Sequence, residues 1–393
     1  MSSKPKTLAT KEEANPARVP KLRFPEFRDA EGWVAKTFDE LFTIGNGKDY
    51  KHLEAGDVPV YGSGGYMLSV NDYLHDGESV CIGRKGTIDN PMFLTGRFWT
   101  VDTLFYTHSF KDCLPKFIFA VFQQIDWLKH NEAGGVPSLS KTNIQKIQTT
   151  VPTPAEQQKI AECLSSVDEL MAAQARKVDA LKTHKKGLMQ QLFPREGETA
   201  PRLRFPEFRD AGEWGDQTVG DFGKVITGST PSTAKPAFYG GGIPFVSPAD
   251  ISDLRFVDQT KTTLTPEGFA ETRPVRSGSV LFVCIGSTIG KVAQSVRDCA
   301  TNQQINAVVP SSKHSDGFVY FALSLAAERI ALLAGRQAVP IINKSLFSSV
   351  RMLSPKLPEQ QRIAACLSSL DALIAAETRK LEALKTHKKG LMQ

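Results

Sequence analysis

Two short stretches of this 393-residue sequence approach motifs that carry catalysis, and both lack a residue that the chemistry requires. The stretch Asn90 to Phe93 is close to the Asn-Pro-Pro-aromatic loop of adenine methyltransferases, but Met92 replaces the second proline and no Phe-x-Gly-x-Gly cofactor loop precedes it. The stretch Gly286 to Val292 is close to a phosphate-binding loop, but Val292 stands where Ser or Thr must hold magnesium. Histidines occur singly, without a His-Glu-x-x-His or Gly-x-Ser-x-Gly motif. We therefore expect no catalytic residue, no metal ligand and no bound cofactor in this chain.

Polar and basic side chains beside glycine turns offer a different chemistry, hydrogen bonding to nucleic acid. At such turns the backbone can approach a phosphate while a side chain reaches a base edge. Arg or Lys pairs with the O6 and N7 acceptors of guanine, and Asn or Gln suits adenine. The predicted DNA-binding residues are Lys48, Tyr50, Lys51, Arg84 and Lys85 in the first half of the chain, and Ser229, Thr230, Ser232, Lys291, Asn302, Gln303 and Gln304 in the second half. The alternative is a solvated surface charge for each basic residue and core hydrogen bonding for residues 302–304.

The composition is that of an ordinary soluble globular protein with room for two or three domains, since 41% of the residues are hydrophobic and 23% are charged. A net charge of +6 permits nucleic-acid binding without demonstrating it. The sequence has neither a signal peptide pattern nor a run of eighteen apolar residues, so we expect a cytoplasmic protein. No two cysteines have Cys-x-x-Cys spacing, and we expect reduced thiols, with Cys81 matching Cys284 and Cys163 matching Cys366 in an internal repeat.

The elements that must position these residues are two long helices of nearly the same sequence. Glu156 to Gln190 and Glu359 to Gln393 match at 26 of 35 positions with a constant offset of 203. Apolar residues recur at alternating steps of three and four, which is typical of a coiled-coil seam. The seam residues are Ile160, Leu164, Val167, Met171, Val178, Leu181 and Leu188 in the first helix, and Ile363, Leu367, Leu370, Ile374, Leu381, Leu384 and Leu391 in the second. The alternative is a seam that only dimerises two chains.

Polar residues interrupt both seams at matching points, Gln174 with Glu377 and Lys185 with Lys388. Such interruptions fix the register of a coiled coil. The motif Leu-Arg-Phe-Pro-Glu-Phe-Arg-Asp, called the LRFPEFRD motif below, begins at Leu22 and recurs at Leu203, directly after the first long helix. The chain can therefore run out through one module and return along the helix pair. We predict that the two helices pair antiparallel, with a pseudo-twofold internal repeat.

The chain is thus two copies of one order: an LRFPEFRD motif, a middle segment and a long helix. The middle segments, Val34 to Val151 and Gly215 to Ser354, contain short β-branched runs between Gly, Pro, Asn and Asp clusters, and each has one apolar helix candidate, Pro115 to His130 and Gly317 to Leu333. We predict an α+β fold divided into a disordered arm (1–20), a first module (21–152), a first long helix (153–193), a linker with the repeated motif (194–214), a second module (215–354) and a second long helix (355–393).

The two middle segments share few residues. The sequence comparison sets Gly83-Arg84-Lys85-Gly86-Thr87-Ile88 against Gly286-Ser287-Thr288-Ile289-Gly290-Lys291, and Val136-Pro137 with Lys141 against Val339-Pro340 with Lys344. The second segment is also longer by 22 residues, the difference between the offsets of the helices and of the LRFPEFRD motifs. Because the LRFPEFRD motifs and the long helices repeat while the middle segments differ, the sequence indicates two binding modules that recognise different targets.

Taken together, the duplicated LRFPEFRD motif, the Glu-Gln-Gln starts and Leu-Lys-Thr-His-Lys-Lys-Gly ends of the long helices, and the Gly-Arg-Lys-Gly-Thr-Ile stretch resemble the specificity subunit of a type I restriction-modification system. The resemblance covers nearly everything from Lys21 to Gln393. It implies that each module is a target recognition domain that reads one half of a bipartite asymmetric DNA target with a non-specific gap, and that the subunit itself is not catalytic.

The resemblance also implies partners. The helix pair would dock two modification (methyltransferase) subunits and set the gap, S-adenosylmethionine would be the cofactor of those partners, and restriction or translocase subunits would join through the complex. The small apolar residues outside the seams are the predicted docking faces: Leu170, Ala172, Ala173, Leu373, Ala375 and Ala376. Two alternatives stay open at this point, a stand-alone adenine-N6 DNA methyltransferase and a coiled-coil scaffold that never touches DNA.

Overall fold

The protein has an α+β fold in which one set of elements occurs twice. The computed structural model describes residues 20–335 and 339–392, so the predicted N-terminal arm lies, except for Pro20, outside the described residues. The chain divides into two compact units, one containing the residues up to Ala173 together with those from Leu381 onward, the other running from Gln174 to Lys380.

The first copy builds two four-stranded sheets and one two-stranded ribbon. The strand orders are β2-β9-β6-β7, β4-β3-β8-β5 and β1-β10. In chain order its elements are β1 (Val34–Thr37), α1 (Phe38–Leu41), β2 (Thr43–Asn46), β3 (Ala55–Gly62), β4 (Gly65–Val70), β5 (His75–Asp76), β6 (Ser79–Gly83), β7 (Met92–Leu94), β8 (Arg97–Thr100), β9 (Leu104–His108), α2 (Pro115–Gln124), α3 (Lys141–Gln145), β10 (Gln148–Val151) and the long α4 (Pro154–Leu192).

The second copy also has two sheets and a two-stranded ribbon, but one sheet has five strands and the other has three. Its orders are β12-β19-β16-β17-β14, β15-β13-β18 and β11-β20. Its elements are β11 (Gly215–Thr218), α5 (Val219–Phe222), β12 (Gly223–Thr227), β13 (Tyr239–Val246), β14 (Phe256–Val257), β15 (Thr262–Leu264), α6 (Pro266–Ala270), β16 (Val280–Val283), β17 (Val292–Ser295), β18 (Ala300–Thr301), β19 (Ile305–Pro310), α7 (Asp316–Ala331), α8 (Lys344–Ser348), β20 (Arg351–Ser354) and the long α9 (Leu357–Leu391).

The main core of each unit forms where an apolar helix covers one sheet: α2 covers β2-β9-β6-β7 in the first unit, and α7 covers the five-stranded sheet in the second. The predicted helix Pro115 to His130 is too long, because Ile125 adopts an extended backbone and ends α2 at Gln124. A separate 3-10 turn follows, and Trp127 in that turn is buried and donates from Nε1 to the Phe122 carbonyl oxygen at 2.8 Å. Asp316–Ala334 is the one helix in the described residues that is long and apolar enough to cross a membrane, but it lies in the core of the second unit.

The LRFPEFRD motif is fastened to the start of the long helix in both units. Arg23 donates from Nε and Nη2 to the two carboxylate oxygens of Glu156, at 2.8 and 2.7 Å. Arg204 makes the same two bonds to Glu359, again at 2.8 and 2.7 Å. The pair in the first unit has only 4% and 1% of its side-chain surface exposed. A bidentate guanidinium-carboxylate pair fixes both the distance and the angle between its partners, so it holds the motif to the helix in one geometry.

The glutamine after each of these glutamates ties the helix start to the module. Gln157 donates from Nε2 to the carbonyl oxygens of Pro152 and Asp112, at 2.9 and 3.0 Å, and accepts from the Leu114 N–H at 2.8 Å. Gln360 in the second unit likewise donates to the Pro355 carbonyl oxygen at 2.9 Å. Both glutamines are buried, and the Glu-Gln-Gln pattern is therefore a connector between three segments of each unit.

The two long helices run antiparallel, as the repeat predicts. In the second unit Gln174 donates from Nε2 to the Glu377 carboxylate at 2.7 Å and to its backbone oxygen at 2.9 Å, while Lys185 forms an ion pair with Asp371. A higher residue number on α4 therefore meets a lower number on α9. In the first unit the repeat mate of Lys185, Lys388, contacts the repeat mate of Asp371 at 2.8 Å. The fourteen seam residues are buried or half-buried.

Three polar side chains of the second unit converge on Glu377, which is almost fully covered. Besides Gln174, Lys177 and Lys380 place their Nζ atoms 3.1 and 3.0 Å from Oε1. These hydrogen bonds, that of Gln174 first, lower the pKa of Glu377 from 4.5 to about 2. The carboxylate thus favours the folded state above the unfolded pKa, and this contribution is lost as the pH falls from about 4.5 to about 2.

We expect Glu377→Gln to lower the unfolding temperature at pH 7, because a buried charge-assisted cluster is broken. The loss should shrink towards pH 2, because the wild-type carboxylate becomes protonated as the pH approaches its folded-state pKa of about 2. Calorimetry between pH 2 and 7 measures this, with Glu382→Gln as the control, since Glu382 pairs with Lys385 at an exposed position of the same helix. An equal loss at pH 2 and pH 7 would show that the charge of Glu377 does not stabilise the helix pair.

Candidate nucleic-acid interface

In the first module one turn, residues 100–104 between β8 and β9, holds the two loops that carry the predicted basic residues. The Lys48 N–H donates to the Thr100 carbonyl oxygen at 2.8 Å, and the Arg84 N–H donates to that of Thr103 at 2.8 Å. Trp99 then donates from Nε1 to the Lys48 carbonyl oxygen at 2.9 Å. The structure therefore brings together the loops of Lys48 and Arg84, which are distant in sequence.

A third segment, residues 137–139, adds two more backbone hydrogen bonds to the two loops. The turn 100–104, the loops of Lys48 and Arg84 and this third segment are called the frame below. The Gly86 N–H donates to the Pro137 carbonyl oxygen at 2.9 Å, and the Leu139 N–H donates to the Arg84 carbonyl oxygen at 2.9 Å. Gly86 has a φ of 88°, which favours glycine. At Gly47 the reason for glycine is space, since an added Cβ would lie 1.9 Å from the Val101 carbonyl oxygen. Gly47 and Gly86 thus allow three backbone segments to pack closely.

The four predicted cations of the first module, Lys48, Lys51, Arg84 and Lys85, are exposed on these loops. Arg84 has its guanidinium 6.0 Å from the Phe105 ring. Tyr50 differs from the four cations, since it is half-buried and packs against the small apolar cluster around Val60 and Trp99. Exposed cations beside closely packed backbone suit contacts to phosphates and base edges. The packing of Tyr50 also helps to hold its loop.

The second module repeats the frame bond for bond. The Ser229 N–H donates to the Thr301 carbonyl oxygen at 2.9 Å, and the Cys284 N–H donates to that of Gln304 at 2.8 Å. The remaining two bonds run from the Gly286 N–H to the Pro340 carbonyl oxygen at 3.0 Å and from the Ile342 N–H to the Cys284 carbonyl oxygen at 2.8 Å. The frame is thus a property of the backbone and tolerates different side chains.

These bonds correct the sequence comparison of the two loops. Gly86, and not Gly83, is the counterpart of Gly286, because both glycines have a positive φ, 88° and 97°, and both donate to the carbonyl oxygen of the matched proline. The comparison was therefore wrong by three residues at this loop. Val136-Pro137 and Val339-Pro340 were matched correctly, and Lys141 and Lys344 both begin short helices after them.

The same shift of three residues shows that Cys81 and Cys284 are not equivalent positions of the repeat, contrary to the prediction from the sequence comparison. Cys284 occupies the place of Arg84 in the frame, so it is not the structural mate of Cys81. Both cysteines are buried, and burial raises the pKa of the Cys81 thiol to about 12 and that of Cys284 to about 11. Both thiols are therefore protonated at neutral pH, and both cysteines are free, in agreement with the prediction of reduced thiols.

The predicted amide residues of the second module divide into two groups. Asn302 donates from Nδ2 to Gln304 Oε1 at 2.9 Å and accepts from the Gln304 N–H at 3.1 Å, so these half-buried residues stabilise their own turn. Gln303 is exposed, and its Oε1 accepts from the exposed hydroxyl of Thr230 at 2.8 Å. Thr230 and Gln303 therefore form an exposed hydroxyl-amide pair.

The other predicted residues of the second module lie in varied surroundings. Lys291 donates from Nζ to the Ile251 carbonyl oxygen at 3.0 Å, which ties its ammonium group to the module. Ser232 is exposed, and its carbonyl oxygen accepts from the Lys235 N–H at 3.2 Å. The Ser229 hydroxyl is buried and, among the described atoms, has no hydrogen-bond partner. The structure does not place Lys291 on the turn that carries Gln303.

Ser63, which lies beside Gly86, and the nearby exposed Tyr66 were not selected from the sequence. A Cβ added to Gly86 would lie 3.1 Å from Ser63 Oγ, and Gly64 next to this serine has no atom near its missing side chain. Tyr66, just after this turn, is 62% exposed. A hydroxyl beside two glycines fits the rule that selected the other residues, so Ser63 was recognisable from the sequence. Tyr66 was not, because its exposure depends on strand β4.

The described parts of the chain, 20–335 and 339–392, contain no group of three or more His, Cys, Asp or Glu residues that could hold a metal ion. What the two frames present instead is a set of cations in the first module and a set of hydroxyl and amide groups in the second. Such groups bind phosphates and base edges by hydrogen bonds.

Solved structures share this architecture. A type I restriction-modification S subunit from M. genitalium superposes with a TM-score of 0.65 at 14% identity, covering 95% of this chain and 98% of that one. A second structure, from work on complex assembly and conformational transition of the type I R-M system, gives a TM-score of 0.55 at 17% identity, with coverages of 95% and 98%. At these identities the likeness concerns the fold.

Sequence comparison adds curated relatives. The HindI specificity subunit of Haemophilus influenzae is 31% identical over 147 residues, 36% of this chain and 32% of the relative. The EcoR124I/EcoR124II specificity subunit of Escherichia coli is 32% identical over 178 residues, 43% of each chain. The aligned parts therefore span less than half of these two relatives. The family model of the type I restriction modification DNA specificity domain matches residues 30–183 and again 211–386. The chain therefore belongs to the family of type I restriction-modification DNA specificity domains, of which it carries two copies.

Proposed function

We propose that this chain is the DNA sequence-recognition subunit of a type I restriction-modification complex, and that each module reads one half of a bipartite, asymmetric target. The observation that carries the proposal is the repeated frame, in which the same backbone hydrogen bonds present the exposed side chains of Lys48, Arg84 and Lys85 in one module and of Thr230 and Gln303 in the other. One frame with two sets of donors and acceptors suits two unlike half-sites. Membership of the family supports the same conclusion.

The long helices support the second part of the proposal, the docking of partners. The seam residues of each long helix are buried or half-buried, whereas the repeat mates Leu170 and Leu373 are 58% and 41% exposed beside small alanines. Exposed apolar surface of this kind is typical of protein interfaces. We propose that two modification subunits bind these faces and that the length of the helices sets the gap between the half-sites.

The chemistry of the complex would then belong to the partners. This chain would position DNA without catalysing a reaction, the modification subunits would bind S-adenosylmethionine and transfer the methyl group, and a restriction subunit would join through them. The basic surface residues and the absence of a catalytic motif in the sequence support this division of labour. We also propose that the assembly works in the cytoplasm, where the host DNA is.

For the first module we expect the double variant Arg84→Ala/Lys85→Ala to weaken DNA binding and to relax the preference for one half-site only. A lost base contact costs about 1–3 kcal/mol, and each lost phosphate contact lowers the slope of log K against log salt by about 0.9. Filter binding at several salt concentrations, with duplexes mutated in one half-site at a time, measures both effects.

A matched control is Lys116→Ala/Lys129→Ala, which removes the same charge from exposed positions on α2 and the following turn. An equal loss of affinity and of salt dependence in both double variants would mean that only net charge matters, and it would contradict the assignment of Arg84 and Lys85 to the interface.

For the second module we expect Gln303→Ala to change recognition of the other half-site while the first half-site is read normally. The alanine removes the exposed amide and leaves the turn-stabilising pair Asn302 and Gln304 in place. The comparison variant is Asn302→Ala, which should lower the unfolding temperature more than Gln303→Ala. If Gln303→Ala bound every duplex as the wild type does, its amide would not contact a base.

The division of labour between modules predicts the outcome of an exchange. Replacing residues 34–151 with the corresponding segment of another family member should change one half-site and leave the other half-site and the gap unaltered, because each frame is complete within its own copy. Sequencing of methylated sites in a host that supplies the modification subunits measures the result. A change in both half-sites together would contradict independent reading.

A further inference from the structure

Arg255, directly before the edge strand β14, is a cation that the second unit holds almost entirely inside. Its side chain is only 8% exposed. Its guanidinium carbon lies 4.7 Å from the ring centroid of Phe256 in β14, and 4.9 and 4.7 Å from those of Tyr320 and Phe321 in α7. A guanidinium that is shielded from water is strongly attracted to aromatic faces. The cation is therefore held by the edge of the sheet and by α7 at the same time.

The polar contacts of Arg255 lead on to the long helix α9. Nη1 donates to Ser368 Oγ at 2.7 Å and lies 3.6 Å from Asp371 Oδ2. Nε donates to Oε1 of Gln294 in β17 at 2.9 Å, and Gln294 donates in turn to the Gly278 carbonyl oxygen at 2.8 Å. Because the donors of a guanidinium have fixed directions, contacts of this kind define an angle as well as a distance. One side chain thus joins the edge of the five-stranded sheet, α7 and α9.

The first turn of α7 leaves the space that this cation occupies. A Cβ added to Gly317 would lie 3.0 Å from Arg255 Nη2 and 3.1 Å from the Cβ of Ala364 on α9. Both distances are shorter than ordinary van der Waals contact, and a close-packed interior does not absorb such an overlap without a shift. A larger residue at this position would therefore displace the cation or α9.

The first unit has a different arrangement at the matching place of its sheet. Val80 and Val280 each lie four residues before the matched N–H donor of the frame, so they are equivalent. Val80 faces Phe93 across its strand pair, whereas Val280 faces Gln294. The ring of Phe93 packs on that of Phe119 in α2, with centroids 5.6 Å apart. An apolar contact thus stands where the second unit has an amide and a cation.

The helices of the first unit differ in the same way. Lys116 takes the place of Gly317, since the phenylalanine after each of them packs edge to face on a tryptophan of its unit. Asp168, the repeat mate of Asp371, pairs with Lys388 at 2.8 Å and, among the described residues, with no arginine. Strand β14 has no counterpart beyond β7 in the first module as described. The contact between sheet edge and long helix through an arginine is therefore specific to the second unit.

We propose that Arg255 is a positioning residue for DNA recognition, which braces the edge of the five-stranded sheet against α9 and so holds the second frame at one angle to the long helix. The frame is carried by β16 and β19 of the same sheet, so a rotation of the sheet moves Thr230 and Gln303. This role rests on the proposed function of the chain as a DNA reader. A module free to rotate would read its half-site at more than one distance from the other half-site, and the brace therefore sharpens the choice of gap length.

The brace itself is tested without DNA. Nitroxides are attached to p-acetylphenylalanine in place of the exposed Gln303 of the frame and the exposed Ala365 of α9, and dipolar spectroscopy measures the distribution of distances between them. Arg255→Lys keeps a charge beside Asp371 but loses the planar fork, so we expect a distribution about twice as wide as in the labelled parent chain. Arg297→Lys is the control and should keep the parent width, because the half-exposed Arg297 pairs with Asp258 and not with α9. Equal widths in all three chains would overturn the proposal.

A milder pair of variants gives the same comparison if Arg255→Lys does not fold. Ser368→Ala removes only the hydrogen bond between Arg255 and α9, whereas Ser369→Ala removes a hydroxyl that donates to the Cys366 carbonyl oxygen within the helix, at 2.7 Å. We expect a wider distribution for Ser368→Ala and the parent width for Ser369→Ala. The same width in both serine variants would contradict the brace.

The consequence for DNA is measured with the chain assembled with modification subunits. Methylation rates are compared on duplexes with the target's own gap and with the gap lengthened or shortened by one base pair. We expect Arg255→Lys to reduce the preference for the target's own gap by on the order of tenfold, with the base preferences in both half-sites unaltered. A loss of stability alone would lower all of these rates equally, and that result, or an unchanged preference, would overturn the role of Arg255 in recognition. A parent chain that prefers no pair of half-sites would contradict the proposed function, while the distance distributions would still decide whether the brace exists.

Discussion

Two arginine-glutamate pairs, Arg23 with Glu156 and Arg204 with Glu359, determine how each module is attached to its long helix. Each pair joins segments more than a hundred residues apart through two short hydrogen bonds, and its side chains are nearly inaccessible to solvent. A buried pair adds little net stability, but removing one partner leaves an uncompensated charge, so geometry is what such a pair contributes. In each unit the arginine-glutamate pair therefore fixes the position of the LRFPEFRD motif on the long helix.

The second constraint is that the reading frame is made of backbone hydrogen bonds. Arg84 and Cys284 make the same bonds through their N–H and carbonyl groups, yet one is an exposed cation and the other a buried thiol. Because the bonds do not use side chains, substitutions on the loops can alter what is recognised without altering the fold. The second module also carries strand β14 and helix α6 between elements that match those of the first module.

Sequence reasoning succeeded where a physical period or an exact repeat was present. The seams follow from apolar spacing, and the interruption at Gln174 and Glu377 proved to be a direct contact between the helices. It failed at the loops, where Gly83 was matched to Gly286, because a bond to a distant proline carbonyl decides which glycine is equivalent. Tyr50 and Lys291 were predicted as DNA contacts, and the structure adds intramolecular contacts that the sequence did not predict: Tyr50 packs against an apolar cluster, and Lys291 donates to the Ile251 carbonyl oxygen. Contacts of this kind join residues that are distant in sequence, so no local sequence pattern predicts them.

The central claim is that one chain reads two unlike half-sites through two copies of one frame. Methylation-sensitive sequencing of the host genome, with and without the gene for this chain, tests it most directly. The account predicts that one methylated motif disappears with the gene, and that this motif consists of two different short sequences separated by a fixed unspecified gap. A continuous motif, a palindrome with identical halves, or an unchanged methylation pattern would contradict it.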